Sequence, residues 1–135
     1  MLYKEISQLA IDASHEVYTS LGTGHSRPVY LKAVQLELEA LDVNFATSEK
    51  YSINYRDKVI GDVEIELLIE EKVLVYVSAE AQIPNHTYSQ VRSLMQTSDI
   101  PLGMIIGFGG NRLDVRRVEI PDKQRKRPSP TNNDP

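Results

Sequence analysis

Two short runs of sequence decide the fold: Asp62-Val-Glu-Ile-Glu-Leu-Leu-Ile-Glu70 and Lys72-Val-Leu-Val-Tyr-Val-Ser-Ala-Glu80. Each run alternates apolar residues with other residues over a length too short for a typical helix, and only Glu71 separates the two. This pattern predicts two adjacent β-strands joined as a hairpin. The apolar residues predicted to share one face of the first strand are Val63, Ile65, Leu67 and Ile69.

The segments around this hairpin predict further helices and strands. Apolar residues at helical spacing indicate helices over residues 2–20, from Pro28 to about residue 42, and over residues 86–97, the last capped by Asn85 or Thr87. Alternating or wholly apolar runs indicate strands at 43–47, 51–55, 103–108 and 115–120, with a turn at 56–58. The order of these elements predicts a mixed α/β fold around a central sheet. The inner stripe predicted for the second helix is Val29, Ala33, Leu36 and Ala40.

Composition favours a single domain over residues 1–120. The chain has 135 residues, 41% of them hydrophobic, which is enough for one core. Residues 121–135 contain no apolar residue except proline, so a disordered polar and basic tail is predicted there. The absence of cysteine excludes disulfides and thiolate metal sites. With no apolar run of membrane-spanning length and no signal-like amino terminus, we expect a cytoplasmic protein without membrane contact.

Charge disfavours general nucleic-acid binding. The whole chain has a net charge of −4, but residues 1–120 hold 11 basic and 17 acidic residues, a net charge of −6. Such a surface repels phosphate backbones unless a local basic patch or a bound cation intervenes. The basic segment Lys123-Gln-Arg-Lys-Arg127 is interpreted as solvated tail, with contact to nucleic acid or to an acidic protein as the alternative.

Four motifs together resemble the bacterial GxxExxY proteins of the PD-(D/E)-x-K nuclease-like superfamily. They are Leu21-Gly-x-Gly-x-x-x-x-Val-Tyr30, Glu66-Leu-Leu-Ile-Glu-x-Lys-Val-Leu-Val75, His86-x-x-x-Gln90 and Gly103-Met-Ile-Ile-Gly-Phe-Gly109. The resemblance extends from about residue 5 to 119. It implies a restriction-endonuclease-like core, in which helices flank a central mixed β-sheet, and descent from nucleases that depend on a divalent metal.

The positions that the resemblance places at the ancestral active site are changed. The family's glutamate falls on Arg27, its aspartate on Glu66, and its Glu-x-Lys pair on Tyr76 and Ser78. On the third helix, a Gln-x-x-x-Tyr motif keeps its glutamine and loses its tyrosine. The six positions are therefore Arg27, Glu66, Tyr76, Ser78, Gln90 and Leu94.

These changes remove the charge that a metal would balance. Phosphodiester cleavage by such a site needs carboxylates that converge on one Mg²⁺, which activates water and offsets developing charge. Here the side chains of Arg27, Glu66, Tyr76 and Ser78 sum to zero charge. We therefore predict no bound cofactor and no intact catalytic residue, and we expect Arg27 to form an ion pair with Glu66 where the metal would lie.

Three functions follow as alternatives. The first is a pseudoenzyme that acts by binding a ligand or protein partner, or by self-association into a homo-oligomer, because small domains with exposed strand edges pair readily. The second is a Mg²⁺- or Mn²⁺-dependent nuclease with a rearranged site that uses Glu66 with Glu64 or Glu80. We otherwise interpret these three carboxylates as solvated charges on one face of the hairpin. The third is a nucleic-acid binder without cleavage, anchored by the tail and by Arg112, Arg116 and Arg117.

Overall fold

In a computed structural model, which describes residues 3–120, helices cover both faces of a five-stranded sheet. The predicted tail at 121–135 lies outside the described residues. The helices are α1 (Lys4–Leu21), α2 (Arg27–Ala40) and α3 (Asn85–Ser98). The strands are β1 (Phe45–Ala46), β2 (Glu49–Tyr55), β3 (Lys58–Ile65), β4 (Leu68–Ile69), β5 (Val73–Ser78), β6 (Leu102–Gly107) and β7 (Asp114–Glu119).

The main sheet has the strand order β1-β4-β5-β6-β7, and β2 and β3 form a separate two-stranded sheet. Within the main sheet, β5 and β6 run parallel and every other neighbouring pair is antiparallel. A parallel pair needs a crossover connection, and α3 lies in the segment that joins β5 to β6. The predicted fold class, a mixed sheet flanked by helices, is confirmed.

Two tight turns fix the hairpin registers. Arg56 and Asp57, between β2 and β3, have φ angles of 51° and 63°, and Glu70 and Glu71, between β4 and β5, have 54° and 61°. Two successive residues at positive φ are typical of the type I′ turn, whose twist matches that of paired strands. The turn predicted at 56–58 therefore forms.

The hairpin predicted over residues 62–80 forms only in part, because residues 62–70 belong to two strands, β3 and β4, and not to one. Strand β3 pairs with β2 as far as Ile65, whereas β4 pairs with β5 and contributes two residues to the main sheet. Glu66 lies at the break. As a result Ile65 and Leu68 pack in one core cluster, while Leu67 and Ile69 pack in the other. The prediction that Ile65 shares a face with Leu67 and Ile69 was wrong, since the irregular backbone at Glu66 interrupts the alternation.

Helices α1 and α2 cover one face of the main sheet. In β5, Val73, Val75 and Val77 point toward these helices, as the alternation predicted. Ala10, Ala13 and other small residues of α1 let that helix lie close to its neighbours. The buried residues that α2 contributes to this cluster are Tyr30, Val34 and Leu38.

Helix α3 and the β2–β3 hairpin cover the opposite face. The buried side chains Val91 and Met95 of α3 pack over β6 at Gly103. A Cβ atom at Gly103 would lie 2.8 Å from Val91 Cγ1 and 2.9 Å from Met95 Sδ, so only glycine permits this helix-to-sheet contact without movement. Gly103, which lies in the predicted apolar strand, therefore determines how closely α3 packs on the sheet.

The buried face of α2 differs from the prediction. Val29 and Leu36, predicted to be inner residues, are 43% and 51% exposed, whereas Tyr30 is fully buried. The Tyr30 ring stacks on Phe108 with 4.5 Å between centroids, and its hydroxyl donates to the Gly22 carbonyl at 2.6 Å. Burial of this large aromatic ring stabilises the fold more than burial of the predicted stripe would. The side of α2 that carries Tyr30 therefore faces the sheet.

The start of α3 also differs from the prediction. Pro84 has φ −69° and ψ 154° and occupies the N-cap position, while Asn85 is already helical. Thr87 is only 2% exposed and faces the core, and its backbone N–H donates to the Pro84 carbonyl at 3.1 Å. Neither Asn85 nor Thr87 caps the helix with its side chain. Within residues 3–120, no helix is both long and apolar enough to cross a membrane.

Candidate functional site

The predicted ion pair between Arg27 and Glu66 forms. Arg27 is the first residue of α2, and Glu66 lies at the break between β3 and β4. Nη2 of Arg27 donates to Oε1 of Glu66, and Nε of Arg27 donates to the Val77 carbonyl of β5 at 2.6 Å. The two charged side chains are 34% and 38% exposed, so water reaches the pair. One guanidinium thus connects α2, β5 and the strand break.

Tyr76 lies directly against this guanidinium. The Arg27 carbon Cζ is 4.7 Å from the centroid of the Tyr76 ring, which is a cation–π distance. Tyr76 is half-buried and packs against the core cluster beneath α3. Arg27 is therefore held by a carboxylate, a carbonyl and an aromatic face, a set of partners that suits the planar and permanently charged guanidinium.

Ser78 lies apart from this group of side chains. It is 2% exposed, and its hydroxyl accepts a hydrogen bond from the Glu80 backbone N–H at 3.3 Å. Its own carbonyl accepts from the Phe108 N–H at 2.8 Å. Ser78 therefore supports the end of β5 and has no solvent access of the kind that a nucleophile requires.

Two adjoining cavities, together called the cleft, open between β5, β3 and α3. The smaller, about 250 Å³, is lined by Arg27, Glu66 and Tyr76 among others. The larger, about 450 Å³, is lined by Tyr76, Gln90 and Leu94 among others. Tyr76 and Leu94 line both cavities, so five of the six ancestral positions meet in this cleft, and Ser78 does not line it.

The three candidate carboxylates are not brought together. Glu64, on β3, lines both cavities, and Glu66 lines the smaller one. Glu80 is exposed beyond the end of β5 and lines neither cavity. Lys50 lies directly across the β2–β3 ladder from Glu64, which places a cation beside this carboxylate. The cleft therefore contains two carboxylates, one of them paired with Arg27.

The side chains of the cleft do not fit a hard divalent cation. Mg²⁺ and Mn²⁺ prefer several converging oxygen ligands, chiefly carboxylates. Among residues 3–120, no group of three His, Cys, Asp or Glu side chains is placed to hold a metal ion. Glu66 already accepts a hydrogen bond from Arg27, and this permanent cation would repel a second cation beside it.

Arg116 and Arg117 of β7 do not form one basic patch. Arg116 contacts Asp114 at 2.6 Å and the Tyr88 hydroxyl of α3 at 3.1 Å. Arg117 contacts Glu119 at 3.1 Å and the Ser7 hydroxyl of α1 at 2.7 Å. Because α3 and α1 cover opposite faces of the sheet, the two guanidinium groups point to opposite sides. The hydrogen bond and charge of Asp114 raise the pKa of Arg116 above its ordinary value.

Tyr51 of β2 is partly buried and lies near two acidic side chains. It pairs with Val63 across the β2–β3 ladder and packs partly against the core beneath α3. Burial raises the pKa of its phenol, and the negative charges of Glu49 and Glu71 raise this pKa further.

Sequence reasoning missed several side chains of the cleft. Ser89 and Ser93 of α3 and Val63 of β3 line the larger cavity. Ser89 and Ser93 are four residues apart and so share a helix face, as Gln90 and Leu94 do. That spacing indicates a polar stripe on α3, but only the packing of α3 beside β3 shows that the stripe lines a cavity.

The mixed five-stranded sheet with helices on both faces is the fold of a nuclease-like α/β protein. The family model of the PD-(D/E)XK nuclease superfamily matches residues 4–118, and the chain belongs to this superfamily. A solved structure of SSO0001 matches with a TM-score of 0.56 at 16% sequence identity, covering 87% of this chain and 59% of that chain. At this identity the likeness shows the fold alone. A search of the curated proteins finds no match.

Proposed function

We propose that this chain is a degenerate member of the GxxExxY branch of the nuclease superfamily, and that it acts by binding or self-association. In this proposal it is a cytoplasmic pseudoenzyme that neither holds a divalent cation nor cuts phosphodiester bonds. The cleft, with Tyr76 and Leu94 where the family has charged or polar groups, is its surface for a ligand or protein partner. Residues 1–120 act as one domain.

The observation that carries this proposal is the guanidinium of Arg27. It lies against Glu66 and Tyr76, where the resemblance places carboxylates that would bind metal. A metal site gains its affinity from negative charge that no other group compensates. Here the guanidinium of Arg27, which belongs to the same chain, compensates the charge of Glu66. Removal of that cation alone does not restore a site, because Tyr76 and Ser78 supply no carboxylate.

Calorimetric titration of the full chain with Mg²⁺ and with Mn²⁺ tests the proposal. We expect no saturable binding of either ion, and no cutting of single- or double-stranded DNA or RNA in their presence. The matched positive control is the variant Arg27→Glu/Tyr76→Glu, which adds two carboxylates to Glu64 and Glu66 and so places four at the cleft. This variant is expected to gain saturable Mn²⁺ binding if it remains folded by circular dichroism.

Metal-dependent cleavage by the natural chain, lost in Glu66→Ala, would overturn the proposal and establish the rearranged nuclease. Retention of nucleic acid without cleavage would instead favour the binding alternative. Such retention should weaken steeply as salt rises, because phosphate contacts release counterions. Both outcomes can be read from the same samples, since the cleavage assay and the retention assay measure different quantities.

A further inference from the structure

Helix α2 has a second apolar stripe that faces solvent. Val29 and Leu36 are 43% and 51% exposed, and Ala40 is also exposed. Ala33 lies between them, half-buried, and packs in part against the core cluster. The sheet-facing residues of this helix, such as Tyr30, lie on a different side. Helix α2 is therefore apolar on two sides, and within residues 3–120 the outer side is covered only in part, at Ala33.

The spacing of this outer stripe is that of a helix-to-helix contact. Successive members are separated by four, three and four residues, which is the alternation of the apolar seam between two packed helices. Isolated exposed apolar residues need no explanation, but a regular stripe along a whole helix fits the apolar face of a second helix. The expected occupant is thus a helix of matching length.

We propose that the outer stripe of α2 binds the same stripe of a second copy of this chain, with the two helices antiparallel. A two-fold axis passing between Ala33 and Leu36 would bring Leu36 of each copy opposite Ala33 of the other. It would likewise bring Val29 opposite Ala40. Each large side chain then faces a small one, which lets the helices approach closely and fills the space between them.

In the antiparallel arrangement, charged residues beside the stripe of one copy meet residues of opposite charge in the other copy. Lys32 and Glu39 are seven residues apart, so they lie on the same flank of α2. They are about 10 Å apart along the helix axis, too far for an ion pair within one copy. In the antiparallel pair the same flanks meet, so Lys32 of each copy lies beside Glu39 of the other. A parallel pair would instead place Lys32 beside Glu37.

The size of the contact predicts a weak dimer. Helix α2 has 14 residues and is about 21 Å long. Its outer stripe and flanks offer less than the roughly 800 Å² per partner of a standard interface, so a dissociation constant in the micromolar range or weaker is expected. This inference rests on the self-association part of the proposed function, and it names the partner and the surface.

Analytical ultracentrifugation of the full chain, from about 10 μM to about 1 mM, tests the dimer. We expect the weight-average mass to rise from monomer toward dimer over this range, and Leu36→Lys to remove the rise. Val59→Lys is the matched control, because Val59 is 67% exposed on the β2–β3 hairpin, away from α2. Circular dichroism checks that both variants are folded. A natural chain that stays monomeric at every concentration, or equal loss of dimer in both variants, would overturn the proposal.

Charge reversal tests the antiparallel orientation. Lys32→Glu alone and Glu39→Lys alone should each weaken the dimer several-fold, because each places like charges side by side across the two-fold axis. The double variant Lys32→Glu/Glu39→Lys should restore it. Failure of the double variant to restore the dimer would rule out the proposed pairing. Sedimentation does not report metal binding or cleavage. The proposed dimer can therefore be refuted without refuting the proposed absence of catalysis, and the reverse also holds.

Discussion

The two faces of the five-stranded sheet differ in how closely they are covered. On the α1–α2 face, Tyr30 and Phe108 are fully buried and stacked 4.5 Å apart between centroids. On the α3 face, the contact between α3 and β3 leaves cavities of about 250 and 450 Å³. The difference indicates that the sheet is more closely packed on the α1–α2 face, and that the open space on the α3 face is the cleft proposed above as a binding surface.

The largest expected effect is on the closely packed face. Phe108→Ala should lower the free energy of unfolding by about 3–5 kcal/mol, because it removes a buried ring and leaves a cavity against Tyr30. Leu94→Ala, on the wall of the cleft, should cost about 1 kcal/mol, because that side chain is already half exposed. Urea denaturation measures both. Equal losses would mean that the two faces are equally well packed.

An intermediate effect is expected at Arg27, between the two faces. Arg27→Ala should destabilise the chain by about 1–2 kcal/mol, since it leaves Glu66 and the Val77 carbonyl without their partner. The partial exposure of both charges keeps this value low. Arg27→Lys should restore little, because an ammonium lacks the several donors by which the guanidinium contacts Glu66 and the Val77 carbonyl while it lies over the Tyr76 ring.

A double-mutant cycle that combines Arg27→Ala with Glu66→Gln measures how much of this destabilisation comes from the ion pair. A coupling energy below about 0.3 kcal/mol would show that Arg27 acts through the carbonyl and the ring alone. In that case the proposal that Arg27 compensates the charge of Glu66 in place of a metal would lose its main support.

The smallest effect is expected at the surface of β7. Arg116→Ala should leave the unfolding midpoint unchanged within error, because its ion pair with Asp114 is exposed to water. Arg117→Ala is the matched comparison on the other side of the same strand. It should lower the midpoint slightly, since Arg117 is 22% exposed and bonds Ser7 of α1. A larger loss for Arg116 would contradict this order.

Several parts of the fold could be predicted because their patterns have only one solution. The apolar run at β6 is short and contains glycines, which favours a buried strand over a helix. The alternation of β5 assigns Val75 and Tyr76 to opposite faces. The Arg27–Glu66 ion pair could also be predicted, because the resemblance places both residues at one site and their charges are opposite.

Other parts could not be predicted, because two arrangements fit the same pattern. Helix α2 has apolar residues on two sides, and the choice between Tyr30 and Leu36 depends on the position of Phe108, far along the chain. The break at Glu66 is hidden in a run that alternates like one strand. The cavity beside Ser93 depends on how α3 lies against β3, which no local pattern encodes.

The parallel pairing of β5 with β6 has a consequence for the order of folding. The turns at Arg56–Asp57 and Glu70–Glu71 join their strands locally, whereas Val73 meets Leu102 only after a long segment that includes α3 has been ordered. Closing such a segment costs chain entropy before its contacts repay it. We therefore expect the two short hairpins to form early and the β5–β6 pairing to limit the folding rate. The cleft, bounded by β5 and α3, would then be completed only in the last step of folding.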